Sequence, residues 1–338
     1  MPVQFLFRFW MLATWLLLAG PVHAADPCPA QRGQLQAADT AARIVAIACR
    51  EHLAWHRPFI DRGGRLASTT VSEAESAHLA DGSEAWRRVA AYWQESGLLA
   101  QMSRVPGANE CGRAGSESRS SPACRAFVID KPWSAAFVSW VMVSARLPGF
   151  RPWASHIGYV RSSVLQPRDS PWEVLDPAAL GSAAAGDLFC YVRVPGTSYG
   201  HAGLLATARA SGDGLQMHCD IVVAAETRND PTVYLIGGNL LQGVTMRLLP
   251  LNRAGRFWRR PAAAGMGLPC SPDNEAGCSF NRQDWALLLR LKPAAALAAL
   301  PPPPPLAGRG LPTPPEPACC VHCVVGSGVP RCPAADAR

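Results

Sequence analysis

Ser134, His218 and Asn239 are the residues whose types and spacing suit covalent chemistry in this chain. Ser134 opens the run Ser-Ala-Ala-Phe-Val-Ser-Trp-Val-Met after Pro132-Trp133, which reads as the first turn of a buried helix. Asp130 can cap that helix, and Pro132 suits its first positions, where no amide hydrogen is needed. Between Ala135 and Val143 only Ser139 is polar, so the helix is expected to be internal. Ser134 then sits at the positive end of a helix dipole, where developing negative charge is stabilised. A serine nucleophile needs a base within hydrogen-bond reach, and that base needs an orienting polar group. His218 supplies the base, and Asn239, in Ile236-Gly237-Gly238-Asn239, supplies the orienting group. Alternate residues of a strand share a face, so His218 and Asp220 point one way and Cys219 the other. Cys219 therefore suits a bridge, with Cys190 on a neighbouring strand as the candidate partner. The plain readings of the same residues are a packing serine, a satisfied core histidine and a turn asparagine.

Elements that must position these residues are visible in the pattern. Helical spacing runs through Gln34 to Trp55 and again through Glu84 to Leu99, where Trp86, Val89, Ala90 and Trp93 share a stripe. Residues 101–121 turn to Gly, Ser, Arg and Pro and read as a loop pinned by a disulfide. After the reactive helix, residues 187–194, 217–224, 232–236 and 243–249 read as strands. Helices followed by antiparallel strands predict an α+β domain, a nucleophile-bearing buried helix packed on the sheet. The expected layout is a leader over 1–24, N-terminal helices and a Cys-pinned loop over 25–130, and the core over 131–292. From Pro293 to Arg338 the Ala, Pro and Gly content, including Pro301 to Pro305, reads as a stiff linker and a disordered Cys-containing tail.

The leader has an apolar run from Trp10 to Ala19 and a small-x-small site at Val22-His23-Ala24, so export with cleavage after Ala24 is expected. That run is too short to span a bilayer. Twelve cysteines fit an oxidising compartment, periplasmic or extracellular, and short loops pair Cys111 with Cys124 and Cys270 with Cys278. Cys320 and Cys323 have metal-ligand spacing near His322, but no second clean pair accompanies them, so no metal and no cofactor is expected. The net charge of +7 is scattered, with no basic stripe interleaved with aromatics, which argues against a nucleic-acid partner. Glu51 and Glu73 are not oriented as a glycosidase acid pair. Oligomeric state is not legible.

Ser134-Ala135-Ala136-Phe137-Val138-Ser139-Trp140 resembles the Cys-Ala-x-Phe-Val-x-Trp motif of the papain-like NlpC and CHAP peptidases and amidases. Gly186-Asp187-Leu188 resembles their Gly-Asp-hydrophobic strand entry, His218 matches their base and Gly238-Asn239 their Gly-Asn strand. The full set, over roughly Ala41 to Leu291, is similar to an exported bacterial domain-of-unknown-function family, number 2272. The resemblance implies a papain-like α+β hydrolase acting on an amide or ester of the cell envelope, such as peptidoglycan peptides. Serine replaces the thiol nucleophile, and Gly237 stands where a Glu often precedes the Gly-Asn pair. A serine hydroxyl is far less acidic than a thiol and needs its base during attack. The alternative is a catalytically inactive descendant that binds cell-wall peptides. Tyr199-Gly200-His201-Ala202-Gly203 resembles the His-x-Gly strand of NlpC-type enzymes and makes His201 the alternative base. Trp133, Ser155, His156 and Tyr159 are expected to contact substrate at the cleft mouth.

Overall fold

The computed structural model describes residues 26–72, 78–113, 121–179, 183–210, 214–226, 231–257 and 270–306. The leader, Glu73 and the cysteines from Cys319 onward lie outside them.

The N-terminal half is helical: α1 (Cys28–Gln31), α2 (Thr40–Ala54), α3 (Ala85–Glu95), α4 (Leu98–Gln101), α5 (Ala108–Arg113), α6 (Pro122–Asp130), α7 (Ser134–Ser144) and α8 (His156–Leu165). Later helices are α9 (Gly200–Arg209) and α10 (Ala294–Ala298). Local chemistry fixes several ends. Asp39 caps α2 by accepting from the Ala42 amide at 2.9 Å. Ser121 caps α6 by accepting from the Cys124 amide, with Pro122 in the first helical position. Gly97, at φ +79°, splits the second expected helix into α3 and α4. The loop expected over 101–121 contains α5, pinned to α6 by the Cys111–Cys124 disulfide.

Eight strands form one mixed, mostly antiparallel sheet: β1 (Phe59–Ile60), β2 (Leu66–Ser68), β3 (Trp172–Leu175), β4 (Leu188–Val192), β5 (Met217–Glu226), β6 (Thr232–Leu240), β7 (Gly243–Pro250) and β8 (Asp284–Leu291). Their order is β2-β1-β7-β6-β5-β4-β8-β3, with β1 and β7 parallel. The four expected strands are β4 to β7, while β8 inserts beside β4 and carries β3 at the edge. Both faces of the central strands are covered. Leu188, Cys190, Leu287 and Leu289 join the large core with α2, α3 and α7, whereas Phe189, Val222, Val233, Leu235 and Leu288 form a second core opposite. That explains why β4 is buried throughout and reads as a continuous apolar run.

All three expected disulfides are present, Cys111–Cys124, Cys190–Cys219 and Cys270–Cys278, and Cys28–Cys49 is a fourth among the described residues. Cys190 and Cys219 are direct cross-strand partners in the β4–β5 register. Two boundaries differ from expectation. Residues 293–301 stay with the domain: Leu297 is buried, and the Gly149 amide donates to the Pro301 carbonyl at 2.8 Å. The Gly200 segment is helix α9 rather than a strand. Among the described residues no single helix is long and apolar enough to cross a membrane.

Candidate active site

The reactive segment begins one turn later than its capping residues imply. Asp130 closes α6 instead of capping α7, and the chain bends by 100° between the two helices. Ser134 is consequently the first residue of α7, whose side chains are buried around the full circumference from Ser134 to Val143. The first backbone acceptance within the helix is by the Trp133 carbonyl from the Phe137 amide, at 2.9 Å, so the amides of Ser134 to Ala136 precede the ladder and have no helical acceptor.

Ser134 Oγ lies 2.7 Å from His156 Nε2. His156 is the first residue of α8, and its Nδ1 meets the Tyr159 hydroxyl one turn along the same helix. Two helix N-termini therefore face each other through a serine and an imidazole. The tautomer with its proton on Nδ1, donated to Tyr159, leaves Nε2 free to accept from Ser134. Burial pushes the His156 pKa well below its ordinary value, and the neighbouring His218 lowers it further, so the ring is neutral at rest, its Nε2 an acceptor but a weaker base than a free imidazole. Burial, with the Asp220 charge, pushes the Tyr159 hydroxyl well up, so it stays protonated.

The second imidazole, His218, packs beside His156 with ring centroids 4.9 Å apart. Its Nε2 lies 2.7 Å from Asp220 Oδ1, two residues on along β5, and its Nδ1 is buried without a hydrogen-bond partner. Asp220 Oδ2 accepts from Arg247 Nε of β7 at 3.1 Å. Arg247 is itself buried, donates to the Phe280 carbonyl, Asn281 and the Tyr191 hydroxyl, and stacks against Tyr191 and Trp285. Burial lowers the His218 pKa, a shift that Asp220 partly offsets. Burial alone would raise the Asp220 pKa, but His218 and Arg247 hold it below the ordinary carboxylate value. Ser134 and His156 retain 5% and 4% exposure while His218 and Asp220 retain none, so the serine–histidine contact is the less deeply buried part of the two imidazole pairs.

Glycines make room for this packing. A Cβ on Gly237 would lie 2.0 Å from Asp220 Oδ1 and 2.8 Å from His218 Nε2, and one on Gly238 would meet Phe137 of α7 at 2.4 Å. Gly237 thus leaves free the space that the His218–Asp220 pair occupies, where a Glu side chain would clash.

The structure redistributes the sequence-level roles. Ser134 and His218 enter one cluster, but the direct contact of Ser134 is His156, which the sequence placed only at the cleft mouth. His218 is oriented by Asp220, not by Asn239. Asn239 sits at φ +54° where the β6–β7 register breaks, a left-handed position that asparagine tolerates. His201 lies on α9 with its Nδ1 3.0 Å from the Ala286 carbonyl. Trp133 is fully buried and stacked on Trp55 at 5.6 Å, so it packs in the core beside Ser134 and is not exposed to a substrate. Tyr159 is buried too, and of the expected substrate contacts only Ser155 is exposed. Asp220, Arg247 and Tyr191 were missed as site residues. A lone arginine in the otherwise uncharged β7 sequence was the available signal for Arg247.

A cleft lined by Tyr159 with Phe150, Arg151, Ser162, Gln166 and Trp172 meets the network at Tyr159, with neither Ser134 nor His156 in its wall. Glu51, considered above as an acid, is ion-paired with Arg88 and accepts from Tyr92. Among the described residues no group of three or more His, Cys, Asp or Glu is placed to hold a metal.

A protein-family model described as "Uncharacterized protein conserved in bacteria (DUF2272)" matches residues 80–291, more than half of the 338-residue chain. No curated protein and no solved structure gives a match.

Proposed function

The chain belongs to the DUF2272 family, and we propose that it is an exported papain-like hydrolase in which Ser134 attacks an amide or ester carbonyl of cell-envelope material, with peptidoglycan peptides as the substrate class. The observation that carries this reading is the 2.7 Å contact between Ser134 Oγ and the neutral His156 Nε2 at the head of α7. His156, not His218, takes the Ser134 proton as the Oγ–carbonyl bond forms, and Tyr159 holds its ring. The unpaired first-turn amides of α7 receive the oxyanion. Protonated His156 then gives its proton to the leaving amine or alcohol, and water releases the acyl group by the reverse sequence. Behind His156 packs the His218 ring, itself held by the Asp220 carboxylate and Arg247. Four disulfides support an oxidising, exported location.

The low exposure of Ser134 favours one second reading, a groove that holds cell-wall peptides without cutting them. The mature protein is to be given muropeptides and simple esters beside Ser134→Ala and Ser134→Cys. Catalysis predicts turnover that drops at least about 10³-fold in Ser134→Ala. Thiol-type activity in Ser134→Cys adds that the geometry is productive. Binding without turnover, unaltered by Ser134→Ala, establishes the second reading.

A further inference from the structure

Between α7 and α8 the chain runs Arg151-Pro152-Trp153-Ala154-Ser155, and exposure alternates along it: Arg151, Trp153 and Ser155 are exposed while Pro152 and Ala154 are not. Ser155 is extended, at φ −136° and ψ 145°, and the next residue is His156. A strip of guanidinium, indole and hydroxyl thus leads straight to the histidine that contacts Ser134. Arg151 also lines the cleft beside Tyr159.

Trp153 is held rigidly for an exposed residue. Its amide donates to Ser139 Oγ at 3.2 Å, and its carbonyl accepts from the same hydroxyl at 3.1 Å. Ser139 is fully buried on α7, so the helix that carries Ser134 also fixes the Trp153 backbone. The indole lies flush on α8 at Gly158, where a Cβ would meet ring atoms at 2.6 Å. Even so, 40% of Trp153 faces solvent. The other exposed large apolar residues, Leu53, Leu165, Leu241, Phe280 and Leu306, lie on other segments or at the far end of α8. A protein or membrane partner calls for a contiguous apolar patch of several hundred Å². One rigid indole flanked by a cation and a hydroxyl fits instead a ligand with an apolar face and polar edges, which is a sugar ring.

We propose that Trp153 is a stacking platform for a saccharide, with Arg151 and Ser155 meeting its polar or anionic substituents, so that the preferred substrate is a glycan-linked peptide and not a free one. This rests on the hydrolase reading for the substrate's position but is tested without turnover. Binding of a disaccharide-linked muropeptide and of the same peptide lacking sugar is measured by calorimetry, on Ser134→Ala and on Ser134→Ala/Trp153→Ala. The expected result is tighter binding of the sugar-bearing ligand to the first protein, and a roughly three- to tenfold loss of that preference in the second. A Ser134→Ala/Trp153→Phe protein is expected to keep part of the preference. Absence of binding by both ligands, equal weakening of both, or an unchanged preference overturns the proposal. Failure of the hydrolase reading shows separately, as wild-type turnover that Ser134→Ala does not abolish or that never occurs.

Discussion

Two buried polar clusters flank α7, and they differ in what they leave unpaired. In one, Glu51 accepts from Arg88 and from the Tyr92 hydroxyl, which in turn accepts from the Trp55 indole at 3.0 Å. Both carboxylate oxygens of Glu51 are engaged, and the aromatic rings pack on Trp133 and Phe137. In the other, Asp220 is equally well held by His218 and Arg247, but His218 Nδ1 lacks a partner and the serine hydroxyl meets a neutral base. Burial of ionisable groups is common to both, so burial alone does not mark a reactive site. The distinguishing feature is a neutral ring nitrogen whose contact is a serine hydroxyl at a helix N-terminus.

The contrast can be broken most severely at Arg247. Its side chain is 1% exposed, so Arg247→Leu leaves Asp220 buried with half its compensation, at a cost of about 3 to 5 kcal/mol. Urea unfolding measures this. Because the single variant can fail to fold, Asp220→Asn/Arg247→Leu is the companion, expected to recover part of the loss.

Gly237→Ala comes next, at about 2 kcal/mol, since the new methyl displaces Asp220 Oδ1 or His218. It is expected to lower turnover per folded molecule as well. The opposite cluster gives the control: Glu51→Gln is expected to cost about 2 kcal/mol because Arg88 is 24% exposed and partly rehydrates. It leaves turnover per folded molecule unchanged. Turnover that follows Glu51 as closely as Gly237 would erase the distinction between the clusters.

Acidification sharpens the comparison further. His156 and His218 titrate below 6.5 in the fold, and burial lowers His52 to about 4. The unfolded chain binds protons at these rings as pH falls below about 6.5 and the native chain does not, so stability is full above that pH and declines beneath it. His52 alone contributes a loss of about 2 kcal/mol by about pH 4.5. Asp220 adds to the decline once pH falls through its depressed value. Asp187, raised to about 6 by burial, opposes it, since its contribution is full below 3.8 and lost as pH rises through about 6. Three rings outweigh one carboxyl, and a urea midpoint that stays flat or rises between about pH 6.5 and 4.5 contradicts the assignment.

The sequence made local features legible and long-range contacts much less so. The apolar circumference of α7, the alternation that separates His218 from Cys219, and the strands β4 to β7 depend on near neighbours, and all stand in the structure. β8 reads Asp-Trp-Ala-Leu-Leu-Leu-Arg-Leu, a continuous apolar run without the alternation that marks a half-buried strand, because both its faces are covered. The likeness makes the segment at Gly200 a strand, yet its Asp284-bound start and apolar spacing make it helix α9. His156 was seen one helical turn from Tyr159, but nothing in its neighbourhood announced that α8 would deliver it to Ser134. Asn239 draws attention for its side chain, but its backbone angle is what the hairpin uses.

The central claim, that His156 activates Ser134, is tested most directly by covalent labelling. The mature protein is treated with a serine-directed fluorophosphonate, and the modified peptide is located by mass spectrometry. The account predicts phosphonylation at Ser134, slowed at least about 100-fold in His156→Gln and only partly in His218→Gln. An unmodified Ser134, or a labelling rate indifferent to His156, contradicts it.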